Sequence, residues 1–224
     1  MEESEVLFSL FGLDVTSQVT TMWGITLIVA IVCLLATRNL KDRPGPLQTA
    51  LEMGIGKLRN FFADILGEEN AAKYFPFLGS LFVAVLLFNY VGILPGMGYV
   101  PGLAAPSSSL SVTVGLALCV FCMTHYYGVR ANGLKGYLHH FVTPAAFMLP
   151  LLLIEEIVRP VSLSLRLYGN IFGEETVMHK LYELFPVGPP ILMMVLSLLF
   201  CAIQAIVFSM LASIYIHSAV SEEH

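Results

Sequence analysis

Apolar residues in this chain come in long unbroken blocks rather than in the alternation of half-buried strands. Runs long enough to cross a hydrocarbon core about 30 Å thick lie at 19 to 37, 75 to 94 and 110 to 128, and two longer ones follow at 141 to 181 and 187 to 218. Each is predicted to be helical, because a backbone surrounded by lipid must satisfy its own hydrogen bonds. Between the first two runs, Leu47, Leu51, Ile55, Leu58, Phe62 and Ile65 mark one helical face, opposite Lys57, Arg59 and Asp64. The segment 45 to 66 therefore reads as an amphipathic helix lying in the interface. Pro95 to Ser109 is rich in Gly, Pro and Ser and predicts a loop, its serines available to cap the next helix. No internal repeat or low-complexity tract appears. Residues 1 to 224 are expected to form a single all-α membrane domain: an N-terminal segment over 1 to 18, about five membrane helices and the interfacial helix.

Composition agrees. With 57% hydrophobic and 12% charged residues, the chain is too apolar for one soluble globule. Its net charge of -5 matters less than where the charges fall, and no basic field for nucleic acid is present. The acidic start Met1-Glu2-Glu3-Ser4-Glu5 lacks the basic region of a cleaved signal, so the run at 22 to 36 reads as a retained span. If the amino terminus is outside, the inner loops carry Arg38, Lys41, Arg43, Lys57, Arg59, Lys73, Arg130 and Lys135, eight of the 11 basic residues. The outer loops then carry only Lys180, so the positive-inside rule predicts the amino terminus out and the carboxyl terminus in. Cys33, Cys119, Cys122 and Cys201 all lie in apolar stretches, as small hydrophobic residues rather than a disulfide framework.

Two arginines, Arg159 and Arg166, belong to no loop. Each costs at least about 2.5 to 3.5 kcal/mol at the centre of a bilayer segment and so needs a compensating environment or a function. At about 100° per residue, Glu155, Arg159, Ser162, Arg166, Gly169, Asn170 and Gly173 share one sector of the helix. The small residues in this stripe let a neighbouring helix approach the guanidinium. Glu155, four residues before Arg159, is placed to pair with it as a structural ion pair. Tyr168, Glu175, His179 and Tyr182 project on roughly the opposite side, toward the outer end, where acid and imidazole can hydrate a path or relay protons. Acidic groups thus flank Arg166 on both sides: Glu175 toward the outside, Glu155 and Glu156 toward the inside.

The run Arg159-Pro-Val-Ser-Leu-Ser-Leu-Arg166-Leu-Tyr-Gly-Asn170-Ile-Phe-Gly-Glu-Glu175 resembles the signature segment of subunit a of the F-type ATP synthase, RPxSLxLRLxGN. Asn89 before Val-Gly-Ile-Leu-Pro, Pro106-Ser-Ser-Ser-Leu-Ser-Val-Thr113, Ile203-Gln204-Ala205 and the Ser221-Glu-Glu-His224 ending are similar to that family as well, so the resemblance covers about residues 20 to 224. It implies a stationary membrane subunit, not itself catalytic, that works with a c-subunit ring, a b-subunit peripheral stalk and the F1 ATPase head. It needs no cofactor. The resemblance makes Arg166 the stator arginine, gives Asn89, Glu175 and Gln204 to the outer half-channel or its junction with the ring, and gives Glu155 or Glu156 to the inner one. Asn170 belongs to the same core motif. Gly92 and Ser197 depart from positions where some relatives carry an acid and a histidine, and the outer path then leans on Glu175 and His179. The last two segments are expected to form a long, strongly tilted hairpin cupping the ring, because 141 to 181 would extend about 60 Å as a helix. The setting implied is a cell inner membrane, with a thylakoid or mitochondrial inner membrane as the alternative. Whether H+ or Na+ is carried stays open, since the ion-binding carboxylate belongs to the ring.

Plainer roles compete at several positions. Gln204 and Asn89 also fit ordinary interhelical hydrogen bonds, and His179 an interfacial helix end. Cys119-x-x-Cys122 followed by His125 has zinc-ligand residue types, but sits inside an apolar helix with no fourth ligand in reach, so no metal is expected. His139 and His140 read as an interfacial pair. Pro150 and Pro160 are expected to kink the long helix. A secondary transporter working without a rotor is the rival function, and it would ordinarily carry repeats. An intramembrane enzyme would need a motif such as HExxH or GxSxG, and neither occurs.

Overall fold

The computed structural model describes residues 6–10, 13–38, 45–93, 104–142, 149–185 and 188–221. The chain opens with a small antiparallel hairpin, β1 (Val6–Leu10) and β2 (Leu13–Thr16), in a segment for which no element was expected. Six helices follow: α1 (Ser17–Thr37), α2 (Pro46–Leu66), α3 (Glu68–Ile93), α4 (Leu110–Val142), α5 (Leu149–Leu184) and α6 (Pro189–Val220). A 3-10 turn over Pro106–Ser108 precedes α4. The protein is an all-α membrane protein. Helices α1, α3, the Leu110–Gly133 part of α4, and α6 are long and apolar enough to span a bilayer. The charges of α5 set it apart from these, yet it packs against both α4 and α6.

Helix α6 is the hub, adjoining α2, α3, α4 and α5. Its buried face is built of small residues, Ala205, Ser209, Ala212 and Ser213, which let neighbouring backbones come close. The serines stay satisfied in apolar surroundings by donating back to carbonyls of their own helix, Ser209 Oγ to Ala205 O at 2.8 Å and Ser213 Oγ to Met210 O at 2.8 Å. Around this face Phe62, Tyr74, Leu78, Leu163, Leu167 and Phe208 form the core. Only the end of the α2 stripe joins it: Phe62 and Leu66 are buried, whereas Leu51 and Ile55 are about half exposed. Helix α1 stands at the periphery, buried at Ser17 and Thr21 and tied inward by the Ala104 amide donating to Thr21 Oγ1 at 3.3 Å.

Several boundaries differ from the hydropathy reading. Helix α3 begins at Glu68 rather than 75, because Gly67, at φ 79, ends α2 and lets the next helix start at once, with Glu68 and Glu69 in its first turn where its dipole favours acids. Helix α4 runs on past 128 through a polar stretch to Val142, broken at Gly133, whose φ of 70 only glycine adopts without strain. The long helix therefore starts at Leu149 and not at 141. Residues 141 and 142 close α4, and 143 to 148 lie outside the described residues. Pro150 stands in the first turn of α5, where its missing N–H costs nothing, so only Pro160 lies within the helix body. Two of the serines expected to cap α4 bond elsewhere, Ser107 to Asn89 and Ser108 to the Ala105 carbonyl. His139 and His140 fall in the last part of α4, outside the side chains described.

Candidate functional site

Helices α5 and α6 form an antiparallel hairpin whose register is set by polar contacts. Asn170 Nδ2 donates to Gln204 Oε1 at 2.5 Å. The Arg159 guanidinium lies over the Tyr215 ring, 5.4 Å from its centroid. Toward the hairpin turn, the Glu174 carboxyl faces the Ser197 hydroxyl and neighbours Cys201. The Ser197 hydroxyl, fully buried, falls short of regular hydrogen-bond geometry there.

Arg166 lies on α5 between these contacts, one turn before Asn170. Its side chain is exposed, and among the described residues no carboxylate approaches within the 4.0 Å of an ion pair. The stripe beside it is open: nothing lies within 4 Å of where a side chain would begin at Gly169 or Gly173. Exposed apolar side chains flank it, Leu165 on α5 and Leu199, Ile203, Ile206 and Met210 on α6. A permanent cation among exposed apolar side chains is costly in a bilayer unless it meets a counter-charge, a polar partner or a water-filled space.

Polar groups gather on both sides of Arg166 along the hairpin. At the α5 N-terminal end, Arg159 Nη2 donates to Glu155 Oε1 and Arg159 Nη1 to Glu156 Oε1, each at 2.7 Å. The second oxygen of Glu156 lies 3.7 Å from His125 Nε2 on α4. Tyr137 packs edge-on to the His125 ring at 5.9 Å, brought there by the break at Gly133 and by Gly128, which has no side chain to obstruct it. Burial, with the Glu156 charge adding to it and Arg159 opposing, pushes the Tyr137 hydroxyl up to about 12, so it stays protonated at neutral pH. A cleft of about 40 Å³ touches Thr124, Tyr137, Leu152, Glu156, Arg159 and Ser218. It is large enough for water, and the buried Thr124 hydroxyl has no protein partner among the described residues.

Toward the hairpin turn the buried polar groups are neutral. Asn89 is 1% exposed and its Oδ1 accepts from Ser107 Oγ at 2.7 Å, while Asn89 Nδ2, Gln204 Nε2 and Ser197 Oγ have no partner among the described residues. Such groups are ordinarily satisfied by ordered water. Glu175 is exposed on another face of α5. His179, also exposed, approaches Glu183 at 3.8 Å, and Lys180 donates to Glu183 at 2.9 Å.

The sequence pattern thus singled out Arg159, Arg166, Asn170 and Gln204, which the fold sets along one hairpin, and Asn89, which it joins to Ser107. It missed Glu174, one residue from the expected Glu175. It noted His125 only beside Cys119 and Cys122 and did not find Tyr137, because their approach to Glu156 crosses between helices and leaves no periodic trace in the chain.

The sequence profile of the family described as ATP synthase A chain matches residues 19–217. The chain belongs to that family. It is 37% identical to ATP synthase subunit a of Moorella thermoacetica over 94% of this chain and 93% of that protein. It is 40% identical to ATP synthase subunit a 1 of Syntrophotalea carbinolica over 92% of this chain and 86% of that protein. To the chloroplastic ATP synthase subunit a of Stigeoclonium helveticum it is 38% identical over 95% of this chain and 88% of that protein. The span matched to the ATP synthase A chain family includes Arg166, both groups of polar residues beside it and the Asn170–Gln204 contact, but not the β1–β2 hairpin.

Proposed function

We propose that this chain is the ion-conducting stator of an ATP synthase membrane sector, with Arg166 as a fixed barrier between two aqueous half-channels. The observation that carries the proposal is the exposed Arg166 guanidinium, with no carboxylate partner among the described residues, lying between two groups of polar side chains. Glu174 lies eight residues beyond it, about 12 Å along the helix, and Glu156 ten residues before it, about 15 Å. The counter-charge comes from outside the chain, in the carboxylates of a rotating c-ring passing across the open stripe of Gly169 and Gly173. A ring carboxylate opposite Arg166 is favoured in its ionised form. It releases its ion to one side and reloads from the other, and since Arg never gives up its proton, the circuit closes only by rotation.

In this reading Glu155 or Glu156 lines the inner half-channel. Asn89, Asn170, Glu175, His179 and Gln204 serve the outer one or its junction with the ring. The amino terminus is outside and the carboxyl terminus inside, a reading supported by the distribution of basic residues among the loops. The subunit is not itself catalytic. It contacts the ring directly, is held by a b-subunit stalk and serves the F1 head through the complex, in a cell inner membrane. With 36 and 32 residues, α5 and α6 reach about 54 Å and 48 Å, well beyond a hydrocarbon core of about 30 Å, so the hairpin tilts strongly to follow the ring.

Arg166→Lys tests this. Lysine keeps the charge but deprotonates when poorly solvated, so the complex reconstituted in vesicles is expected to lose ion-driven ATP synthesis. Normal coupling would sink the reading.

A further inference from the structure

Charge and hydrogen-bond geometry at the α5 N-terminal end point to a residue of the ion path on a different helix. The carbonyl of Phe121 can only accept a hydrogen bond, so the 2.9 Å contact fixes the proton of His125 on Nδ1, which donates to it. The other ring nitrogen of a neutral His125 is then an acceptor, and it faces Glu156 Oε2, also an acceptor, at 3.7 Å. At this distance the two acceptors are too far apart for a direct hydrogen bond but close enough for one water, or a small closing movement, to carry a proton between them. The charge count agrees, because Glu155 and Glu156 share one permanent cation, Arg159, leaving room for one more positive charge. The side chains are accessible without being fully exposed, 30% for His125 and 17% for Glu156, and the neighbouring cleft has space for water.

We propose that His125 and Glu156 form a one-proton relay at the inner end of the ion path, and that the ion leaving there is H+. This rests on the stator reading. In the transfer, Nε2 takes the proton of the Glu156 carboxyl. The O–H bond breaks as the N–H bond forms, and the carboxylate left behind is held by Arg159. The imidazolium then gives the same proton to water in the cleft, while Nδ1–H stays on the Phe121 carbonyl throughout. No electrons move and no proton is consumed. The groups facing the relay are Glu155 and Arg159 on α5, Tyr137 on α4 beyond its break, and the Tyr215 ring on α6, with the exposed His217 half a turn further on. Of the imidazoles among the described residues, His125 is the one that contacts Glu156.

The test uses the whole ATP synthase in vesicles, comparing the native chain with His125→Gln and His125→Arg while pH is varied on the inner side alone. Gln keeps a polar group that does not titrate, and Arg keeps a charge facing Glu156 that never leaves. Both complexes are expected to retain ring and head yet synthesise ATP about tenfold more slowly or worse, with the dependence of the rate on inner-side pH flattened. The native rate should not change when Na+ is withheld. A native rate and pH profile in either variant overturns the relay, as does a requirement for Na+. Failure of both variants to assemble makes His125 purely structural and overturns it too. Arg166→Lys, measured alongside, separates the two claims: if it abolishes coupling while both His125 variants behave as native, the relay alone fails.

Discussion

Asn170 and Gln204 meet across the α5–α6 hairpin at 2.5 Å, one turn beyond Arg166, and this contact fixes which faces of the two helices look outward. Arg166 and Asn170 differ by about 40° around α5, so the helix that holds Asn170 against α6 leaves Arg166 at the open edge of the same face. The amide pair therefore positions the arginine without touching it.

A double-mutant cycle measures that positioning. Interhelical hydrogen bonds in membrane proteins average about 0.6 kcal/mol and reach about 1.7. Asn170→Ala and Gln204→Ala are each expected to lower the stability of the purified subunit by amounts of that order, with a coupling energy of similar size in the double variant. If the proposed ring contact holds, ATP synthesis falls further than stability does, because rotation of α5 by a few tens of degrees carries Arg166 off the open edge of the hairpin. Fully additive losses in the cycle would mean that the two amides do not hold the hairpin together.

Hydropathy alone located most of the membrane helices, because a lipid-facing span must be apolar over most of its length, as in α1 with Leu27, Ile31, Leu34 and Leu35 exposed. It placed the ends poorly where helices continue through polar residues. The Arg130 to Lys135 stretch read as a loop, yet α4 runs through it, turning at Gly133. The polar stripe of α5 was legible because seven residues at helical spacing share a face. Contacts between helices were not. Glu174 and Glu175 are adjacent and chemically identical, and only the packing of α5 against Ser197 and Cys201 tells which of them faces α6. His125 looked like part of a metal motif because its sequence neighbours are Cys119 and Cys122, both of which prove exposed, whereas its partner in space is 31 positions away at Glu156.

Gly128 gives a prediction about packing. A Cβ there would lie 2.6 Å from Tyr137 Cε2 and 3.1 Å from the Ala219 carbonyl oxygen. The first distance is impossible without movement, and the second is to backbone that cannot swing away. Gly128→Ala is expected to push Tyr137 out of its site between α4 and the end of α6 and to cost about 1–3 kcal/mol. Asn132, which donates to the same Ala219 carbonyl at 3.2 Å, would be strained with it. Thermal unfolding of the purified subunit is the measurement, and Gly115→Ala, which meets nothing within 4 Å, is the control expected to stay near the native value.

Tyr137 also makes the alkaline behaviour of the fold predictable. Its hydroxyl ionises near 10.0 in an unconstrained chain but is held up to about 12 in the fold, first by burial and then by the negative charge of Glu156, against the opposing pull of Arg159. The folded protein therefore binds this proton more tightly than the unfolded chain. The associated stabilisation is complete below pH 10 and unchanged at neutral pH, because the tyrosine is protonated in both states there. As pH rises from 10 toward 12 the unfolded chain loses its proton first, and stability falls through that window. Tyr137→Phe removes the titrating group while keeping the ring that packs against His125 and Gly128. The variant is expected to shift neutral stability only by the loss of the hydroxyl's own contact, and to show a shallower decline between pH 10 and 12 in denaturation of the detergent-solubilised subunit. An identical alkaline decline in both proteins would place the titration on a group other than Tyr137.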